Sequence, residues 1–388
     1  MQYRPFGKLG VQVSALGFGA MRLPTLGDPS QIDEPEAIRM IRHAIDSGVN
    51  YVDTAYPYHG GNSERVVGKA LQDGYRQKTN LATKLPVRLV EAHADFDRLL
   101  NEQLAKLQTD HVDFYLLHGL NQKSWEFVRD LGVTRWAEGA LRDGRIRHLG
   151  FSFHDNHEAF RSIVDGYDGW EFCQVQYNYM DEDLQAGTKG VQYAAAKGLG
   201  VVVMEPLLGG QLASPPPAIQ QIFGRAQRKR SAAEWGLQWV WNHPEVSVVL
   251  SGMTTMDQLV ENLSSAGRSA IGSLTADELR LVAMAHDKFD ELYPIPCTQC
   301  RYCMPCPNGV DIPTNTLTFN RGIAMDQLEV ARFRYAAFLN KPASACIQCR
   351  ECEEKCPQGI PIGDWMPYVD EVLGQKANYD PALAPISR

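Results

Sequence analysis

The chain has no run approaching the ~20 apolar residues of a membrane span. Its first residues, Met1-Gln2-Tyr3-Arg4-Pro5-Phe6-Gly7, carry no apolar signal core, so neither a bilayer nor export is expected. Positive charge is also short. The formal net charge is −8, which argues against nucleic acid as a partner. No G-x-G-x-x-G follows the first strand pattern and precedes a helix, which removes the fingerprint of a doubly wound dinucleotide fold. Low-complexity tracts are missing, and so are internal repeats outside the cysteine-rich region. Cysteine itself is nearly absent before position 297. Only Cys173 occurs there, in Phe172-Cys173-Gln174-Val175, and it reads as a small buried core residue.

The other eight of the nine cysteines form two bursts near the C-terminus, each ending in Cys-Pro. The first is Cys297, Cys300, Cys303 and Cys306, then Pro307. The second is Cys346, Cys349, Cys352 and Cys356, then Pro357. The second has the C-x2-C-x2-C-x3-C-P spacing of bacterial two-cluster ferredoxins; the first is one residue shorter before its last cysteine. Thiolates at two-residue intervals let a tight backbone wrap one cube. The proline-flanked fourth cysteine turns away to serve the other cube. The pattern therefore predicts two [4Fe–4S] clusters, one on Cys297, Cys300, Cys303 and Cys356, the other on Cys346, Cys349, Cys352 and Cys306. Zinc sites seldom use four cysteines in one unbroken run, and disulfides would need an exported chain. Metal-bound thiols without an export signal point to the reducing cytoplasm.

Hydrophobic residues make up 44% of the chain, ample for a large core. The first ~270 residues alternate short apolar runs with helical patterns, as a parallel sheet with crossover helices requires. Candidate strands are Ala15–Ala20, Asn50–Thr54, Thr79–Thr83, Val112–His118, Ile146–Phe151, Phe172–Gln176, Gly200–Met204 and Val246–Leu250. Between them, Ala92–Leu107 repeats apolar residues at three- and four-residue steps. Eight strand–helix units predict an α/β TIM barrel, (β/α)8, followed by a small ferredoxin-like iron–sulfur domain. Residues 1–14 read as a hairpin plugging the barrel bottom. The expected division is 1–272 for the barrel, 273–296 for a linker helix, 297–375 for the iron–sulfur domain and 376–388 for a tail. Thr275 and Glu278 form a capping-box pattern at the start of the linker helix, and 316–340 reads as a helix or two. Pro215-Pro216-Pro217 marks a stiff loop. The basic run Arg225 and Arg228-Lys229-Arg230 reads as a solvated helix start, with a cofactor-phosphate contact as the sharper alternative.

TIM-barrel chemistry sits at the C-terminal strand ends. There the sequence places Asp53, Lys84 and His118 on the second, third and fourth strands, with Tyr58 five residues beyond Asp53. Singly, each has a bland account as an ion pair, a satisfied histidine or loop packing. Together they can donate a proton to a carbonyl. A phenol near pKa ~10 is a poor acid–base group at neutral pH, and a nearby ammonium should lower it. Asp53 holds Lys84, His118 orients the carbonyl oxygen, and Tyr58 protonates it as hydride reaches carbon.

These residues resemble the aldo-keto reductase family. Val49-Asn50-Tyr51-Val52-Asp53-Thr54-Ala55, then Tyr58, Asn62-Ser63-Glu64 and Gly68, resembles its first signature. Thr83-Lys84 and Leu116-Leu117-His118 supply the rest of the tetrad. The runs Gly144–Ser152 and Gln174–Tyr177 resemble its fifth and sixth strands. Pro206-Leu207-Leu208-Gly209-Gly210 and Glu261-Asn262 match later cofactor-side motifs. The whole chain resembles the branch of that family with a C-terminal ferredoxin-like domain.

The resemblance implies a nicotinamide over the barrel mouth. Gly19, Ala20 and Met21 then lie near its reactive ring, Ser152 and Gln176 at the carboxamide, and Glu261 and Asn262 at the adenine. Three positions depart from the family pattern. Phe153 stands where Asn is common, and Met204 where an aromatic stacks on the ring. The segment Ser251–Gln258, with Gly252 and Gln258, lacks the cations that grip a 2′-phosphate. NAD(H) is therefore favoured over NADP(H), and a flavin is allowed. Hydride chemistry moves two electrons and a cluster takes one, so a flavin would be the natural converter.

The leading expectation is an oxidoreductase acting on a small carbonyl or alcohol, with electrons linked to the clusters and on to an electron-transfer protein partner. The alternatives are a plain NAD(H)-dependent reductase with structural clusters, and a non-catalytic electron carrier or redox sensor on a barrel scaffold.

Overall fold

The computed structural model describes residues 1–297, 299–339 and 341–385. The final positions of the expected tail, 386–388, lie outside the described residues. A two-stranded antiparallel hairpin, β1 (Tyr3–Pro5) and β2 (Gln12–Ser14), precedes a closed parallel barrel. The barrel strands are β3 (Leu16–Gly19), β4 (Tyr51–Asp53), β5 (Asn80–Leu85), β6 (Val112–Leu120), β7 (Ile146–Phe153), β8 (Phe172–Gln176), β9 (Gly200–Met204) and β10 (Val248–Gly252). They pair in chain order, and β10 closes on β3 through Val249–Leu16 to Gly252–Gly19. Every strand expected from the sequence falls on one of these. β6 and β7 run further than expected, because the pairing resumes at Leu120–Phe153 after a register shift beyond Leu117. That irregularity sits beside His118, where a bulge re-aims a strand-end side chain.

The hairpin closes one end of the barrel. Phe6 is fully buried in a cluster with Tyr51, Phe114, Phe172, Val202 and Val248, its ring 4.6 Å from that of Phe114. Burying one such side chain contributes ~1.5–3 kcal/mol. Two glycines permit the close approach. A Cβ on Gly200 would meet the Phe6 ring at 2.6 Å, and Gly7, at φ +53°, passes 2.5 Å from the Gly200 nitrogen on the same test. Arg4 pins the hairpin by donating to the carbonyls of Trp241 and Val246 at 2.5 and 2.9 Å.

The helices follow the apolar periodicity. Helix Ala94–Leu107 buries Phe96, Leu99, Leu100, Gln103, Leu104 and Leu107. It starts two residues later than its pattern, because Asp95 accepts from the amides of Glu91 and Ala92 and turns the chain there. Helix Ala276–Glu291 opens on the expected capping box. Thr275 accepts from the Glu278 amide at 3.2 Å, and Glu278 accepts from the Thr275 amide at 3.0 Å.

The chain forms two compact units. One holds Met1–Ala213 with Arg230–Leu279; the other holds Ser214–Lys229 with the chain from Arg280 on. Segment 214–229, expected within the barrel, thus groups with the C-terminal unit. Pro217 begins the helix Pro217–Phe223, so the proline run is in part a helix start. Within the C-terminal unit, helices Ile312–Ala324, Leu328–Phe338 and Ile362–Leu373 surround a core that includes Ile295, Val310, Phe319, Trp365, Val369 and Val372. Tyr379 packs on Phe319 at 5.7 Å between ring centroids, which ties the start of the tail to this core.

The two cysteine runs belong to a longer repeat than the sequence suggested. Gln299 and Gln348 both have left-handed φ, 58° and 56°, and so do Arg301 and Arg350, at 63° and 64°. The Gln299 and Gln348 amides donate to Pro313 O and Gly363 O, each at 3.1 Å. Two pseudo-equivalent halves therefore lead into helices beginning at Ile312 and Ile362. Among the described residues, no helix is long and apolar enough to cross a membrane.

Candidate active site and thiol cradle

Lys84, next to last in β5, has 1% of its side chain exposed. Its Nζ donates to both Asp53 oxygens at 2.7 and 2.8 Å and to Thr54 O at 2.8 Å. The Tyr58 hydroxyl lies 3.4 Å from the same nitrogen. His118 faces the Tyr58 ring edge-on, with centroids 6.1 Å apart. The four expected residues are thus brought to one mouth. Tyr58 is delivered by a turn in which His59 and Gly60 have φ of 52° and 63°. His59 fixes that turn: its Nδ1 bonds Pro29 O at 2.6 Å, and its Nε2 accepts from the Leu23 amide at 3.1 Å. The two bonds require the neutral Nδ1–H tautomer.

A buried network sets the end of β5. Gln103 donates to Lys84 O at 2.9 Å and Glu64 at 2.6 Å, and accepts from Tyr115 at 2.7 Å. Thr83 also donates to Glu64, at 2.7 Å. The helical pattern marked Gln103 only as an inward position; its role comes from what faces it in space.

The electrostatics correct one expectation. Burial raises the Tyr58 phenol above its ordinary value, against the opposing charge of Lys84. In this site desolvation outweighs the ammonium, so Tyr58 holds its proton at neutral pH, as a general acid must. Burial by itself would lower Lys84, but Asp53 and Tyr58 outweigh it and keep the ammonium charged. His118 is pushed down to about 3 by burial, then by the charges of Lys84, His154 and Arg88. It is therefore a neutral imidazole.

Several of the residues expected at the cofactor lie at or just beyond the C-terminal ends of the barrel strands. Gly19 ends β3, and Ala20 and Met21 open the turn Ala20–Arg22. Ser152 accepts from the Gly119 amide at 2.7 Å. The Gln176 amide is held by Asp181 at 2.5 Å and by Gln185 at 3.2 Å. Met204 ends β9, with Pro206 and Leu207 in the turn beyond. Two of the expected positions also make bonds within the protein. Gln258 closes a capping box with Thr255 and accepts from Thr254 N at 2.8 Å. Asn262 is buried and donates to Ser251 Oγ at 3.0 Å. Glu261, its neighbour, is exposed.

The structure adds residues that motif reading missed. Arg22 lies against Gly252; a Cβ there would meet Arg22 Cβ, Cγ and Cδ at 3.1, 3.2 and 3.4 Å. It is exposed, and its guanidinium has no ion-pair or hydrogen-bond partner among the described residues. A cation thus reaches the 251–258 segment from another strand end. His154, after β7, and Glu205, after β9, also face the mouth. Glu205 has a left-handed φ of 53°. Burial lowers the His154 pKa, opposed by Glu205 and Gln185. His154 is exposed. The suggested anion role of Arg230 is not supported, since its guanidinium is buried on Glu278 and over Trp235.

In the C-terminal unit a cavity is lined by Cys297, Cys300, Cys303 and Cys356, with an apolar wall that includes Ile295, Ile362, Trp365 and Met366. Burial raises Cys303 to about 11, and Cys297, Cys300 and Cys356 are among its like-charge neighbours. Cys306 and Cys349 stand in the same relation to Cys346. Among the described residues, no three His, Cys, Asp or Glu side chains converge on a single-ion position. Four soft thiolates around a cavity suit an iron–sulfur cube, whose positive irons would hold them deprotonated.

A tetrad built on a buried ion pair in a closed parallel barrel, in a chain that also carries a four-thiol cradle, defines an oxidoreductase of reductase type with a cluster domain. The chain matches the Aldo/keto reductase family over residues 15–282 and belongs to it. Residues 296–360 match a 4Fe-4S dicluster domain. The chain is similar to L-galactose dehydrogenase of Arabidopsis thaliana, at 25% identity over 288 residues, covering 68% of this chain and 88% of that one. It is similar to 6-dehydroglucose reductase of Novosphingobium aromaticivorans, at 25% over 278 residues, covering 67% and 88%. The solved structure of aldo-keto reductase AKR11C1 from Bacillus halodurans, holo form, superposes with TM-score 0.61 at 27% identity, covering 74% of this chain and 96% of that one.

Proposed function

We propose that this oxidoreductase interconverts a small carbonyl and alcohol by hydride and proton transfer at Asp53, Tyr58, Lys84 and His118, with electrons linked to two [4Fe–4S] clusters. The observation that carries the reading is the Lys84 ammonium, held by both oxygens of Asp53 and set against the Tyr58 hydroxyl. Tyr58 is the acid. Its proton leaves for the carbonyl oxygen as negative charge develops there, and Lys84 stabilises the phenolate left behind. Neutral His118 donates a hydrogen bond to the same oxygen and fixes its direction. In the oxidative sense the steps reverse, and Tyr58 takes the proton of the alcohol.

A bound nicotinamide supplies or accepts the hydride. Gly19, Ala20, Met21, Ser152, Gln176, Met204, Pro206, Leu207, Gly252 and Glu261 are the residues that would hold it. Ser152 still has its hydroxyl hydrogen to give, which suits a carboxamide oxygen. Ser251–Gln258 offers no cation of its own, which favours NADH, and Arg22 is the side chain that would reverse this. The names of two relatives, a galactose dehydrogenase and a dehydroglucose reductase, support a polyhydroxylated substrate. The eight thiols favour a reducing cytoplasm and an electron-transfer partner. Anaerobic turnover of simple aldehydes with NADH tests the reading, and absence of turnover with any carbonyl would sink it.

A second reading, with the clusters serving only to fold the C-terminal unit, is favoured by the packing of Cys297, Cys303, Cys306, Cys346, Cys352 and Cys356 against that unit's core. Substrate with cofactor should bleach the clusters on the first reading and leave them oxidised on the second. A flavin at the ring site would make that bleaching fast.

A further inference from the structure

Trp365 is the fourth residue of helix Ile362–Leu373 and is 1% exposed. It lines the cavity ringed by Cys297, Cys300, Cys303 and Cys356. Its indole Nε1–H has no hydrogen-bond partner among the described residues. An orphaned buried donor calls for an explanation. The lining is mainly apolar and thiol; of its other polar members, Arg301, Thr316 and Gln358, Thr316 already donates to Ile312 O, so sulfur is the most abundant acceptor in the cavity. Sulfur already accepts hydrogen bonds in this unit. Gln299 Nε2 donates to Cys297 Sγ at 3.4 Å, and the main-chain N–H of Gln348 donates to Cys346 Sγ at 3.4 Å.

We propose that the Trp365 indole N–H donates a hydrogen bond to a sulfur of the cluster held by Cys297, Cys300, Cys303 and Cys356, and so raises that cluster's reduction potential above that of its twin. The inference rests on the two-cluster reading. Hydrogen bonds to sulfur stabilise the more negative, reduced cluster, which makes them a lever on potential. The repeat makes the effect one-sided. The matching position in the other half is Asn315, fourth residue of its own helix. Both of its amide hydrogens are committed, to Asp311 O at 2.8 Å and Lys341 O at 2.9 Å. The second cradle therefore receives no donor from this position.

The test is an anaerobic redox titration of the full, cluster-loaded chain, followed by electron paramagnetic resonance. Trp365→Phe keeps the ring and removes the donor. The expected result is a reduction equilibrium constant about tenfold smaller for one cluster, a fall of ~59 mV for a one-electron couple, with the other unchanged. Unshifted potentials, or equal shifts in both, would overturn the proposal. If the variant does not retain its clusters, wild-type protein labelled with 15N in the indole ring decides. A hyperfine coupling to that nitrogen in one reduced cluster supports the bond, and its absence overturns it. Iron analysis separates the two levels of failure: about eight irons per chain with an unmoved potential defeats only the role of Trp365, whereas about four defeats the two-cluster reading beneath it.

Discussion

The barrel mouth and the thiol cradle are completed by different things. At the mouth the charged groups satisfy one another. Lys84 is ion-paired to Asp53, and Gln103 ties Glu64, Tyr115 and the Lys84 carbonyl together. In the cradle that satisfaction is only partial: Cys297 accepts from Gln299, yet a buried donor stays unmet among the described residues. Thiols crowd one another, burial raises Cys303 and Cys352, and the Trp365 donor is unmet. The barrel is a site whose geometry its own side chains set, whereas the cradle is a fold built around a bound group. Loss of the occupant should therefore act on stability in one unit, and loss of a side chain should act on rate in the other.

The largest expected effect is cluster removal. Structural metal can carry apparent folding free energies of ~10–16 kcal/mol in small domains. Stripping the iron, or Cys303→Ala, should erase amide-exchange protection across helices Ile312–Ala324 and Ile362–Leu373 while the barrel strands keep theirs. Full protection of both helices in iron-free protein would erase the contrast between the two regions.

Next comes Tyr58→Phe, which removes the acid and leaves the ring. A fall in kcat of about 10²–10⁴-fold is expected, with the thermal midpoint unchanged. Turnover within threefold of wild type would take Tyr58 out of its role. The pair Lys84–Asp53 makes the complementary point, since breaking a buried ion pair costs stability as well as rate.

The third effect is on pH dependence. The His118 pKa in the folded chain is about 3, below its ordinary 6.5. Between these values the unfolded chain binds a proton that the native chain does not, so stability falls as pH falls. The slope from this one group approaches ~1.36 kcal/mol per pH unit. Above pH 6.5 both states are neutral and the contribution vanishes. His118→Gln should flatten the acid limb of denaturant stability between pH 6 and 4. Activity of the wild type should show no ionisation of His118 above pH 5.

How much of this was legible in the sequence depends on how local each signal was. The eight strands, the hairpin plug and the capping box at Thr275 are written in consecutive residues, so local pattern alone carries them. The tetrad was legible because a barrel fixes where strand ends meet. What sequence missed is what depends on burial or on distant neighbours. The Tyr58 shift went the other way because desolvation cannot be read from residue type. Trp365 carries no signal in the sequence, because its meaning comes from the cavity it lines. Asn262 and Gln258 match family positions, yet here their side chains are engaged within the protein. Segment 214–229 carried no sign that it would cluster with chain a hundred residues further on.

The smallest effect concerns the cofactor's second phosphate. The 251–258 segment has no cation, so NADH should match or exceed NADPH in kcat/KM. Arg22 complicates this, because it stands beside Gly252 and arrives from the end of β3 rather than from the segment itself. An exposed guanidinium on a phosphate is worth about 1 kcal/mol after solvent screening, roughly fivefold in affinity. Arg22→Ala should therefore weaken NADPH binding by about that factor and leave NADH nearly unchanged, measured as Kd by quenching of protein fluorescence. Equal losses for both would place Arg22 on the shared pyrophosphate instead. No loss for either would leave the mouth without a phosphate cation at this strand end, and NADH preference would then rest on the bare Ser251–Gln258 segment alone.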